Sequence, residues 1–96
     1  MDLFIFVRFH SSEGHEDAVE RALAEVVPPS REEAGCVGIH AFRSTRDRRL
    51  FYIHSHWKDE AAFELHAGLA HTVGFIKTVE ALLDQPLEVT RAKVIA

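Results

Sequence analysis

Three ring side chains in the second half of this sequence have the types and spacing to do chemistry together. Trp57, the only tryptophan, is followed nine residues later by His66 and five further by His71. Phe63 stands three before His66 and Phe75 four after His71, so each histidine shares a helical stripe with an aromatic ring. An imidazole on such a stripe is either satisfied by a neighbour or lines a pocket, because an unsatisfied buried polar group costs roughly 1–3 kcal/mol. In a pocket, histidine suits the role of base, its free pKa of about 6.5 lying near working pH. His71 is expected at a helix start, where the positive end of the dipole disfavours an imidazolium and keeps the ring able to accept a proton. Trp57 would add a ring wall and one N–H donor.

The elements that must position these rings are legible on either side of them. Leu3 to Phe9 (LFIFVRF) is dense in β-branched and aromatic residues and ends at the turn-like Ser11-Ser12-Glu13-Gly14, which predicts a strand. From His15 to Val27 the apolar residues Ala18, Val19, Ala22, Leu23 and Val26 recur at helical spacing. Pro28-Pro29 is expected to bend or end that helix, with Ser30 capping a short second piece, Arg31 to Ala34, that Gly35 closes. Cys36–Arg43 and Leu50–Trp57 read as a hairpin of two strands. Asp59 is placed to cap a helix running to about Ala67, Gly68 breaks it, and a second helical piece runs from about Thr72 to Leu83. After Pro86, Leu87 to Ile95 predicts a fourth strand. The order βαββαβ, in one domain spanning residues 1–96, is that of an α+β ferredoxin-like fold: a four-stranded antiparallel sheet with both helical segments on one face.

Strand alternation puts Phe51, Ile53 and Ser55 on the face of Trp57, and Leu50, Tyr52, His54 and His56 on the other. Strand one adds either Phe4 and Phe6 or Ile5 and Val7 to that second face. So apolar a patch predicts a homodimer with the two open sheet faces together, closing an α+β barrel. A chain of 96 residues also hides only about 60–65% of its unfolded surface, so a partner copy would help it. His54 and His56 offer two donors on one strand, fewer than a metal site needs, and no metal is expected.

Bulk composition excludes other classes. The net charge is −4 and the cations are scattered among acids, unlike a nucleic-acid footprint; the one basic cluster, Arg43 to Arg49, falls in the hairpin turn. Cys36 is alone, so no intrachain disulfide can form and a reducing cytoplasm is the natural setting; the thiol reads as buried and inert. The start lacks signal-peptide character and no apolar run approaches bilayer length, so no membrane partner is expected.

Taken in register, several short motifs resemble the antibiotic biosynthesis monooxygenase family of dimeric α+β barrels, which includes quinol monooxygenases. They are Arg8-Phe9 before the turn at Gly14, Glu33-Ala34-Gly35-Cys36 where the family usually has Glu-Pro-Gly-Cys, Trp57 at the end of strand three, His66 and His71, and Pro86 before the last strand. The spacing fits from about Leu3 to Ile95. The resemblance implies a pocket between helices and sheet, and oxidation of a small aromatic substrate, a quinol or polycyclic phenol, by O2 with no flavin, haem or metal cofactor. His71 would then be the base with His66 assisting, and Trp57, Phe63, Phe75, Ile53 and Ser55 would contact substrate. Three positions depart from the family: Ile53 where an asparagine is common, Ser55 where a glutamate is common, and Phe63 where some members have tyrosine. These departures keep open a barrel that binds a small apolar ligand without turnover. Haem binding, found in a related branch, relies on an asparagine, and this chain has none.

Overall fold

The computed structural model describes residues 1–96. Its elements are β1 (Leu3–His10), α1 (Glu16–Arg31), β2 (Cys36–Arg43), β3 (Leu50–Trp57), α2 (Glu60–Ala67), α3 (Ala70–Glu80) and β4 (Glu88–Ala92). The strands form one antiparallel sheet in the order β2-β3-β1-β4. This is the expected ferredoxin-like arrangement, and none of its helices is long and apolar enough to cross a membrane.

Alternation along the strands decides what each face does. Ile5 pairs with Ser55 and Leu3 with Trp57, and Leu3, Ile5, Phe9, Phe51, Ile53 and Trp57 are all buried on one face. Val19, Leu23, Val26 and Val27 of α1 and Val79 of α3 pack onto it, burying the apolar stripe that their spacing announced. A fully buried side chain of this size is worth about 1.5–3 kcal/mol, so this layer dominates the fold's stability. Phe4 and Phe6 point the other way, Phe4 stacking on His56 at 4.2 Å between ring centroids and Phe6 lying 4.9 Å from His54. Of the two alternatives for strand one, the open face therefore carries Phe4 and Phe6.

α3 starts two residues earlier and ends three earlier than the expected Thr72 to Leu83, and two other boundaries differ for local reasons. α1 does not break at Pro28-Pro29 but continues to Arg31. Each proline removes one backbone donor, and the carbonyls so freed, on Ala24 and Glu25, belong to exposed residues that water can reach. Ser30, placed as a cap by the sequence, is instead inside the helix and fully buried; its Oγ donates to the Val26 carbonyl at 2.8 Å. β4 stops at Ala92 rather than Ile95, because its partner runs out: Ala92 pairs with Phe4, near the start of β1.

The loop after α3 is pinned to the sheet through Asp84. Its carboxylate accepts from His10 Nδ1 at 2.6 Å and from Arg49, and its backbone N–H donates to the His10 carbonyl at 3.1 Å. The His10 hydrogen bond, followed by the charges of His10 and Arg49, holds this carboxyl below the usual range, against the burial that would raise it. A lowered carboxylate pKa contributes stability that is complete above the ordinary range and lost as pH falls through the folded value. Asp84→Asn is therefore expected to be less stable than wild type near neutrality, the gap closing on acidification below about pH 4. Urea melts showing a gap that stays constant on acidification would contradict this.

Candidate active site

The helices do not seal against the sheet everywhere. Between them lies a cavity of about 180 Å³, lined by 16 residues of which 12 are hydrophobic. Ile5, Phe9 and Ile53 form its floor on the sheet, and Phe63 of α2 and Phe75 of α3 form its helical walls. Its four polar neighbours are Ser30, Ser55, His66 and Thr72. A cavity of about 150 Å³ is enough for benzene, so this one suits a single-ring guest.

His66 reaches the wall through local sequence. Asp59 caps α2, accepting from the Ala62 N–H at 2.8 Å, and the helical spacing then turns Phe63 and His66 to the same side. Gly68 and Leu69 donate to the Leu65 and His66 carbonyls, ending α2 and starting α3 so that His71 stands one turn away. Glu33 lies in the turn after α1, which is held by its own N–H on the Ser30 carbonyl and by the Cys36 N–H on the Glu33 carbonyl. Gly35 lets this turn press directly against Ala62 of α2.

That packing brings Glu33 between the two histidines. Its Oε2 is 2.8 Å from His66 Nδ1 and 2.8 Å from His71 Nε2. An ionised carboxylate only accepts, so both of those ring nitrogens carry the hydrogen. In neutral His66 the remaining nitrogen, Nε2, then holds a lone pair, the state a general base requires. Thr72 Oγ1, 3.3 Å from His66 Nδ1, is a second and weaker partner of the same N–H.

The residues expected from sequence do not all fall in one place. Ile53, Ser55, Phe63, Phe75 and His66 border the cavity. His71 does not; it sits on the outer side of Glu33, beside a separate surface hollow with Glu25 and Thr78. Trp57 is fully buried behind His66, their ring centroids 4.5 Å apart, and is not a cavity wall. Its N–H is already donated to Ser55 Oγ at 2.9 Å. Ser55→Ala would strip that buried N–H of its acceptor, and is expected to cost about 1–3 kcal/mol in chemical denaturation while Ser55→Thr, which keeps an oxygen, costs less. Equal costs would show that the hydrogen bond is not the reason.

From sequence alone Glu33 stands out only as part of the Glu33-Ala34-Gly35-Cys36 motif. The acid of that motif, next to a tight turn, was the available signal. Cys36 is not a nucleophile here: burial, and then the charge of Glu33, push its thiol pKa up. Arg91 of β4 lies 5.0 Å over the Phe63 ring and pairs with Glu60 at 2.7 Å and Glu64 at 2.6 Å, tying the last strand to α2 on the cavity's edge.

A sheet carrying helices on one face, with an apolar hollow between the layers and a carboxylate-held imidazole at its wall, is a ferredoxin-like α+β domain with a candidate pocket. The pattern of the family described as "Antibiotic biosynthesis monooxygenase" matches residues 3–78, and the chain belongs to that family. A Bacillus subtilis (strain 168) protein named "Putative monooxygenase YcnE" is 35% identical over 68 residues, 71% of this chain and 72% of that one. The crystal structure of PA3566 from Pseudomonas aeruginosa superposes with a TM-score of 0.91 at 34% identity, covering 99% of this chain and 95% of its own. Rv0793 from Mycobacterium tuberculosis reaches a TM-score of 0.94 over 100% of this chain and 97% of its own, at 21% identity, a likeness of fold.

Proposed function

We infer that this protein oxidises a single-ring phenol or quinol with O2, using no bound cofactor, and that His66 is the base. The observation that carries this reading is the apolar cavity of about 180 Å³ with the Glu33-held imidazole of His66 at its wall. A phenol hydroxyl beside His66 Nε2 loses its proton to that nitrogen. The phenolate is electron-rich enough to reduce oxygen itself. Conversion of a phenol to a quinone, with one oxygen atom kept and the other leaving as water, balances without an outside reductant. The cavity volume favours the quinol over the polycyclic phenol that the family resemblance also allowed. His71, on the far side of Glu33, acts by holding the carboxylate in place. Ile53, Ser55, Phe63 and Phe75 would face the ring.

The same reading includes a homodimer. Phe6, Phe42 and Tyr52 remain largely exposed on the open sheet face, beside the stacked Phe4 and His56, and a second copy would cover them.

Oxygen uptake with a panel of single-ring hydroquinones, in chelator, tests the activity. Wild type is expected to consume oxygen with at least one of them, and His66→Ala to be slower by about 10²–10⁴-fold, the usual contribution of a positioned base. No uptake with any substrate, or equal rates in the variant, would refute the reading. Thermal stabilisation by a phenol without uptake would instead identify a ligand-binding barrel, since binding the native state alone raises stability.

A further inference from the structure

We propose that Glu33, His66 and His71 also form a binding site for a first-row divalent cation of the Zn2+, Co2+ or Fe2+ kind. From spacing, His54 and His56 offer only two donors on one strand, and the family resemblance also implies no metal. Folding assembles a different set: one donor atom from each of Glu33, His66 and His71, all within 4.8 Å of one another. They come from three separate elements, the turn after α1, the last turn of α2 and the first turn of α3. Two imidazoles and a carboxylate suit these borderline cations and leave positions for water, whereas Ca2+ and Mg2+ prefer shells of oxygen alone.

Two of the three donor spacings are close to what an ion needs. Two donors about 2.1 Å from a metal stand about 3.0 Å apart at a right angle and about 3.4 Å apart at the tetrahedral angle. Both imidazole nitrogens are now 2.8 Å from Glu33 Oε2. The two imidazole nitrogens, up to 4.8 Å apart, must also close to about 3.0–3.4 Å, a movement of about an ångström by the two rings, with each bridging proton passing to its ring's other nitrogen. The charge is also favourable, one carboxylate with two neutral rings giving −1 for a divalent ion. Side-chain exposure is 12% for Glu33 and 11% for His66, so these donors are already largely desolvated; His71, at 29%, leaves an approach from solvent. Other ionisable groups near the cluster are Cys36, on which the Glu33 charge acts, Glu25 beside His71, and Lys58 and Asp59, which border a surface hollow with Glu33.

Occupancy would reverse the way His66 meets the cavity. A cation on Nδ1 requires the proton to reside on Nε2, so the loaded ring offers a guest a donor where the free ring offers an acceptor. The site goes beyond the proposed activity, and because oxygen uptake is measured in chelator, with no ion on His66, the outcomes of the two tests are distinguishable.

Titration of the full-length protein with CoCl2, followed by visible absorption, and with ZnCl2, followed by calorimetry, tests the site. One ion per chain is expected, with the ring-nitrogen NMR signals of His66 Nδ1 and His71 Nε2 moving from protonated to metal-bound positions in unmutated protein. Glu33→Gln and His71→Gln should each weaken binding at least about 10–100-fold, the cost of losing even an outer partner of a ligand. His54→Gln and His56→Gln, on the opposite sheet face, should leave it unchanged. Absence of binding to wild type at millimolar metal, shifts confined to His54 or His56, or equal affinity in Glu33→Gln and His71→Gln would each overturn the proposal. The NMR readout decides the matter should a variant fail to fold.

Discussion

Glu33→Gln is expected to lower the kcat of oxygen uptake by about 10²-fold or more while leaving the KM for a small quinol little changed. The split follows from where Glu33 stands. Its carboxylate does not border the cavity, so the substrate loses no contact when the charge is removed. What disappears is the negative charge 2.8 Å from His66 Nδ1, which stabilises the imidazolium that forms when the ring takes a proton. Glutamine keeps the shape and an acceptor oxygen, so the fold should tolerate it. A KM that rises with kcat unchanged would mean that Glu33 shapes the pocket rather than positioning the base. Glu33→Ala would be harsher, since it leaves the His71 N–H without its acceptor and the His66 N–H with only the weaker Thr72 Oγ1, a loss of about 1–3 kcal/mol for a group left buried and unpaired.

Gly35→Ala is the second change with a large expected effect, and it acts on stability. A methyl group on Gly35 would lie 2.3 Å from Ala62 Cβ, a separation that real carbon atoms do not reach. Alanine has no flexible end to swing aside, so either α2 or the turn that carries Glu33 must move. Overpacking of this sort costs about 1–3 kcal/mol. In a domain of this length each kilocalorie lowers Tm by about 4–8 °C. Adding Ala62→Gly to Gly35→Ala should restore most of the loss, less about 1 kcal/mol for glycine inside a helix. Thermal melts in which the double variant is no better than Gly35→Ala would place the strain elsewhere.

These two residues also mark the limit of what could be read before folding. The hairpin strands β2 and β3 were legible to the residue, because alternation is a local property and Trp57 set the parity of a whole strand. Phe63 and His66 fall on one inward stripe because helical spacing is equally local. Pro28-Pro29 misled, since the rule that proline ends a helix ignores whether the orphaned carbonyls face water and whether a serine returns to the backbone one turn earlier. Glu33 was hidden because its partners are 33 and 38 residues away and meet it only once α2 has docked on the turn. His71 shows the complementary gap: its stripe told which side of α3 turns inward, but not that Glu33 would stand between the ring and the hollow. Trp57 was placed on the right face, and its use of Ser55 Oγ as acceptor depends on a side-chain rotamer that spacing does not encode.

The burial of Trp57 against His66 has a practical meaning. A chain with a single indole has a single dominant fluorophore, and here that emitter lies one ring's thickness from the imidazole at the pocket wall. Guest entry and ion capture both alter that imidazole, so either should register as a change in emission intensity without a label, a chromogenic substrate or any turnover at all.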